Sequence, residues 1–262
     1  VNLNTAALRQ ELDELSARRQ NHASFGDAAQ AHRENLERRF GKDAIYEATL
    51  HRHLASQPTR EIDFFINPRR FDLMQSVIGE RLARHGVSIL NAASGPFALE
   101  FYVPLMDASI DAFDIDEALA PLHRVLTMRA LIAPCSFRTM NVTAYQPDRR
   151  YDIVLVNDLF YSKHVDFFRL IEKFADAVAP GGVLYFDIQD QRAGPVWRLL
   201  GKGSTTRRYD LAEVRATLER LGLKVEAVQP ALGIKGGIDG VARRFLWRWF
   251  GIANNFAFAA TR

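Results

Sequence analysis

Two short stretches of this 262-residue chain carry residue types and spacing suited to holding a nucleoside. The first, Val87-Ser-Ile-Leu-Asn91-Ala-Ala93-Ser94-Gly95-Pro96, passes from apolar residues into small ones. The second, Ile110-Asp-Ala-Phe-Asp114-Ile115-Asp116, passes from apolar residues into acid, with Asp114 about twenty residues beyond the turn. Small side chains at a strand-to-helix turn let a ligand approach the backbone. A carboxylate at the end of the next strand accepts hydrogen bonds from ribose hydroxyls. The turn is poor in glycine, so its chemistry depends on what surrounds it.

A parallel sheet is needed to position these residues. Strand-like runs lie at 87–91, 109–114, 136–141, 151–157, 182–188, 224–229 and 255–260, with helical patterns at about 97–105, 117–132 and 164–179. Strands alternating with helices predict an α/β fold with helices on both faces of the sheet. Ala179-Pro-Gly-Gly182 is expected to end the third of these helices and turn the chain into the fifth strand. Between the last two strands lies an insertion, 231–251. Gly233, Gly236, Gly237 and Gly240 in it suggest a mobile loop, and Val241 to Phe250 a helix with Phe245, Trp249 and Leu246 facing inward.

Residues 1–85 read as a separate helical region. Leu3, Leu8, Leu12 and Leu15 recur at helical spacing, and further helical segments run from about Phe25 to Phe40 and from Asp43 to Leu54. A last helix, about Pro68 to His85, opens on a proline, aligns Phe71, Met74, Val77, Ile78 and Leu82, and stops at Gly86. The chain thus divides into an amino-terminal helical cap, 1–85, that shapes a substrate region, and a ligand-binding domain, 86–262.

Composition is that of an ordinary globular protein, with 48% hydrophobic and 25% charged residues. No apolar run is long enough to span a bilayer, and the first residues lack the pattern of a signal peptide. The single cysteine, Cys135, forbids an internal disulfide and fits the reducing cytoplasm. Six Arg-Arg pairs are spread along the chain rather than gathered in one stretch, and the net charge is only +3, which argues against a nucleic-acid partner. His51 and His53 are too close in sequence to share a helix face, so no metal pair is expected there.

Over residues 87–262 the order of these blocks resembles the class I S-adenosylmethionine (SAM)-dependent methyltransferases. Ile89 to Pro96 matches the first strand and glycine-rich turn, Phe113 to Asp116 the acidic end of strand two, and Met140-Asn141-Val142 the end of strand three. Tyr151 to Tyr161 matches strand four with its active-site loop, and Pro180-Gly-Gly182 the approach to strand five. The resemblance implies a Rossmann-like, mostly parallel seven-stranded sheet whose last strand runs antiparallel. It implies SAM as cofactor, with Asn91, Ala93, Ser94 and Gly95 beside its amino-acid end. Asp114 would take both ribose hydroxyls, Ile115 would join the cofactor-binding residues, Asn141 and Val142 would lie near the adenine, and Asn157 and Asp158 at the mouth of strand four. Asn141 fits either an adenine contact or a cap. The sequence departs from the family at Asn91, where an acid is common, and at Ala93 and Phe97, where glycines are usual.

Transfer from a sulfonium requires position and desolvation, with a base only when the nucleophile arrives protonated. Asp158, Tyr161 and His164 are the candidates, with a cap, a core-edge aromatic and an exposed turn residue as their structural readings. Phe64, Phe65, Tyr102, Phe160 and Tyr161 either line a pocket or belong to the core. The expected activity is methylation of a small molecule, a specialised metabolite. Ser94-Gly-Pro96 also resembles the turn of nicotianamine-synthase-like enzymes, which implies two alternatives: transfer of the 3-amino-3-carboxypropyl chain, or intramolecular cyclisation with release of methylthioadenosine. A third reading is a SAM-binding module without activity. Oligomeric state leaves no mark on the sequence.

Overall fold

A computed structural model describes residues 68–82, 84, 86–94, 108–115, 117, 135–199, 206–232 and 237–262. In chain order the elements are α1 (Pro68–Leu82), β1 (Val87–Ala92), β2 (Ala108–Asp114), β3 (Cys135–Thr139), a single 3-10 turn (Val142–Ala144) and β4 (Tyr151–Val156). They continue with α2 (Phe167–Asp176), β5 (Val178–Gln189), α3 (Ala193–Leu199), α4 (Leu211–Arg220), β6 (Lys224–Pro230), α5 (Gly237–Phe250) and β7 (Asn255–Thr261). The expected helices before Pro68, at 97–105 and over most of 117–132 lie outside the described residues, as do His51, His53, Phe64, Phe65, Tyr102 and Gly95.

The strands form one sheet in the order β3-β2-β1-β4-β5-β7-β6. The pairs from β3 through β5 are parallel, whereas β7 runs antiparallel to both β5 and β6. Chain direction therefore leads outward from β1 to β2 and β3 on one side, then returns to β4 on the other. The crevice between β1 and β4 is the switch point at which ligands bind in open α/β sheets.

The central strands are buried on both faces, so their runs are almost wholly apolar. Ile89, Leu90, Ile153, Val154, Val183 and Leu184 are all fully buried. On one face α2 inserts Phe167, Leu170, Ile171 and Phe174. Asp166 caps that helix by accepting from the Phe168 amide at 3.1 Å. Tyr145 stacks between Phe113 and Phe174, with ring centroids 5.1 and 5.6 Å apart. Its hydroxyl is buried with no hydrogen-bond partner among the described residues, and burial pushes its phenol well above the usual range. An unbonded buried hydroxyl destabilises a core. Tyr145→Phe is therefore expected to raise unfolding stability by about 1 kcal/mol, read as a higher denaturant midpoint at unchanged slope.

α1 is tied to the far side of the sheet. Ser76 Oγ donates to Gln229 at 3.1 Å, and Arg81 bonds the Gly181 carbonyl at 2.5 Å and Glu226 at 3.3 Å. The last helix of the expected cap region thus docks on β5 and β6, interrupted by a kink at Ile78.

Two local expectations need correction. Pro180-Gly-Gly182 does not terminate the preceding helix. α2 ends at Asp176, and the three residues lie inside β5. There the β4–β5 register shifts between Tyr151 and Ile153. A Cβ at Gly182 would stand 2.9 Å from the carbonyl oxygens of Ala179 and Tyr151, so the close backbone approach requires glycine.

The second correction concerns the insertion. Gly237 and Gly240 belong to α5 rather than to a loop. Phe245 and Trp249 face outward, 55% and 68% exposed. The helix docks through its other side. Trp247 meets Phe256 edge-on at 5.9 Å, and the Arg243 guanidinium lies 5.0 Å over the Trp197 ring. Gly251, at φ 61, closes the helix by donating to the Trp247 carbonyl.

Candidate functional site

The carboxyl ends of β1, β2 and β3 are laced together by backbone bonds. β1 stops at Ala92, and Ala93 turns the chain with φ 51, a left-handed conformation costly for a residue with a Cβ. The Ser94 amide then donates to the Phe113 carbonyl at 3.0 Å, and the Met140 amide to the Asp114 carbonyl at 2.8 Å. Asn91 and Ser94 are buried beneath this turn. Asp114, the last residue of β2, is half-buried at the rim. Ile115 beside it is 68% exposed, an apolar side chain presented at the mouth of the crevice.

Asn141 and Val142 follow β3. Asn141 caps the 3-10 turn, its Oδ1 accepting from the Thr143 amide and hydroxyl at 3.0 and 2.9 Å. Val142 joins the core beneath. The capping geometry engages the Asn141 carbonyl oxygen and leaves its amide nitrogen outside those two bonds.

Across β1 from Asp114, β4 delivers Asn157 and Asp158. Neighbouring strands stand about 4.8 Å apart, so the ends of β2 and β4 flank the crevice at roughly 10 Å. Asp158 has φ 57 and is half-buried. Its strained turn is held from below by Asp187, whose Oδ1 accepts the Asp158 amide at 2.7 Å. Tyr161 donates its hydroxyl to the other oxygen of Asp187 and accepts from Asn255 Nδ2 at 3.0 Å. All three side chains are buried. Asn254 Nδ2 in turn donates to Asn255 Oδ1.

The structure therefore gathers Asn91, Ala93, Ser94, Asp114, Ile115, Asn157 and Asp158 on one edge of the sheet. Tyr161 lies beneath that edge rather than in the open crevice. His164 sits on an exposed turn, its amide bonded to Ser162 Oγ at 3.2 Å. Phe160 is core, edge-on to Phe167 at 4.8 Å and to Phe186 at 5.8 Å.

Asp187 and Asn255 escaped the sequence reading. The available signal was a lone acid inside the apolar run Val183-Leu-Tyr-Phe-Asp187-Ile188, a place where a carboxylate must find donors.

No family model and no curated protein matches the chain. Solved structures do share its architecture. Magnesium protoporphyrin IX methyltransferase from Synechocystis, solved with bound S-adenosylhomocysteine, is 14% identical over 74% of this chain and 81% of that one, with a TM-score of 0.53. Geranyl diphosphate C-methyltransferase from Streptomyces coelicolor is 13% identical over 73% and 79%, with a TM-score of 0.56. The fold is that of the class I methyltransferases. A SAM-dependent methyltransferase from Clostridium acetobutylicum, 11% identical over 74% and 91% with a TM-score of 0.55, repeats it. At such identities the likeness extends to the backbone scaffold. Within the methyltransferase fold, the β1 turn and Asp114 of this chain occupy the switch-point edge described above. Among the described residues no helix is long and apolar enough to cross a membrane.

Proposed function

We propose that the chain binds SAM across the β1–β4 crevice and transfers its methyl group to a small-molecule acceptor. The observation that carries this reading is the convergence at one edge of the Ala93 turn, the Asp114 carboxylate and the exposed Ile115. These residues fit the two ends of a nucleoside. An acceptor-only carboxylate suits paired ribose hydroxyls, and an apolar side chain next to it suits a purine face. Asn141 and Val142 would border the same base, and Asn91, Ser94 and Gly95 the amino-acid end. The neighbouring structures, which act on a porphyrin and on geranyl diphosphate, support a small-molecule acceptor.

SAM, when bound, supplies an electrophilic methyl on a sulfonium. The protein's part is positional. Asp187 fixes the Asp158 turn and, through Tyr161, couples it to β7, so that Asn157 and Asp158 present a fixed rim to the acceptor. Asp158, half-buried at that rim, would take the proton from a protonated nucleophile. Tyr161 acts through Asp187 as a positioning residue, and His164 lies on an exposed turn.

The test is to incubate the full chain with SAM and a panel of acceptors and to identify the nucleoside formed. S-adenosylhomocysteine is the expected product. Methylthioadenosine would replace methyl transfer by reaction of the aminocarboxypropyl chain. Unchanged SAM despite binding would point to a non-catalytic module.

A further inference from the structure

Beyond β5 the chain forms an open cleft of about 390 Å³ lined by Gln191, Arg192, Gly194, Pro195, Arg198 and Arg208. A short bridge between Asp190 and Tyr209 holds its two walls together. Among the described residues its lining carries three arginines and no carboxylate. Arg192 is engaged by Asp190, at 2.8 Å from Nη2 and 2.9 Å from Nε. Asp210 accepts from Gln191 at 2.5 Å and caps α4. Arg198 is exposed and has no carboxylate partner among the described residues. Arg243, stacked on Trp197 of α3, adds a further positive charge.

Arg208 is the least satisfied of these groups. Its Nη1 bonds the Asp190 carbonyl at 3.1 Å and Asn254 Oδ1 at 2.9 Å, but its Nε is buried with no hydrogen-bond partner among the described residues. Burial, with the charge of Arg243 added, lowers its affinity for the proton despite the opposing pull of Asp190. The side chain lies over Gly194, where a Cβ would stand 3.3 Å from Arg208 Cδ, so glycine keeps the cleft floor clear. A desolvated guanidinium N–H beside the exposed Arg198 is stabilised by an oxyanion, which accepts several charge-assisted bonds at once.

The cleft lies at the carboxyl end of β5, on the same edge as Asp114 and Asp158. With the ribose at β2, β5 stands three strand intervals away, roughly 14 Å, on the acceptor side of the crevice. A chain of side-chain bonds joins the two places. Arg208 bonds Asn254, Asn254 bonds Asn255, Asn255 bonds Tyr161, and Tyr161 bonds the Asp187 that holds the Asp158 turn.

We propose that the arginine cleft binds a phosphate-type oxyanion carried by the acceptor molecule and so orients its nucleophile toward the β4 rim. The oxyanion site stands on the cleft itself, while its assignment to the acceptor rests on the SAM reading above. An acceptor of this class has a phosphate, phosphonate or diphosphate at one end and the methylated atom at the other.

The probe is inorganic pyrophosphate, titrated calorimetrically into the full chain at low salt, with acetate as the singly charged comparison. Pyrophosphate is expected to bind far more tightly than acetate and to weaken as salt is raised. Arg208→Gln also removes bonds to Asp190 and Asn254, so the exposed Arg198 is the cleaner substitution. Arg198→Gln is expected to weaken pyrophosphate about tenfold or more while leaving SAM affinity and melting temperature unchanged. Pyrophosphate binding no tighter than acetate, or undiminished in Arg198→Gln, overturns the proposal. SAM titrations on the same samples separate the two readings. Pyrophosphate binding without SAM binding keeps the oxyanion site and removes the cofactor, whereas SAM binding without pyrophosphate binding does the reverse.

Discussion

Asp114→Ala is expected to weaken SAM binding by about two to four orders of magnitude, because in the proposed pose it would delete two charge-assisted hydrogen bonds to the ribose, each worth about 1.5–3 kcal/mol. The position makes the effect local. Asp114 ends β2 at the rim, and its backbone carbonyl keeps the bond from the Met140 amide whatever the side chain. Asp114→Asn retains one acceptor oxygen and is expected to fall between alanine and the native residue. Equilibrium titration of the variants with SAM reads the effect directly. An Asp114→Ala protein that binds SAM as the native chain does would remove the ribose from this strand end.

Asp187→Ala is expected to act on the fold and the site together. The carboxylate is 5% exposed and accepts from both the Asp158 amide and the Tyr161 hydroxyl. Its deletion removes the acceptor of a part-buried amide and of a buried hydroxyl, a loss of about 2–4 kcal/mol measured by denaturant unfolding. Asp158, at φ 57, then loses the acceptor that holds its left-handed turn, so turnover falls further than stability alone accounts for. Tyr161→Phe keeps the ring and the carboxylate and removes one hydroxyl, with a smaller expected loss of about 1 kcal/mol. A double-mutant cycle between Asp187 and Tyr161 should give a non-additive coupling, and strict additivity would show that the two groups do not act as one unit.

The strands were legible in the sequence because a sheet buried on both faces needs uninterrupted apolar runs, and seven such runs fall close to the observed strands. Asp114 was legible for the same reason, as a charge at the end of one run. Pro180-Gly-Gly182 was misplaced because those residues stop helices locally. Their actual role, a close backbone approach to β4, depends on a strand distant in sequence. On α5 the outward Phe245 and Trp249 were read as inward, whereas Leu246 is half-buried. The pattern of the helix offers two apolar sides, and the side carrying Trp247 is chosen by Phe256 and by the Arg243–Trp197 contact. Asp187, Asn255 and the arginine cleft stayed hidden because each depends on partners brought together by the sheet order. Arg208 and Arg243 come from Arg-Arg pairs that look scattered along the chain, yet the fold sets both beside α3.

The central claim is that the β1–β4 crevice is a SAM site. Calorimetric titration of the full chain with SAM tests it most directly. One molecule per chain is expected to bind with a dissociation constant on the order of micromolar, displaced by S-adenosylhomocysteine and weakened at least about a hundredfold in Asp114→Ala. No saturable binding up to about 1 mM SAM would contradict the account.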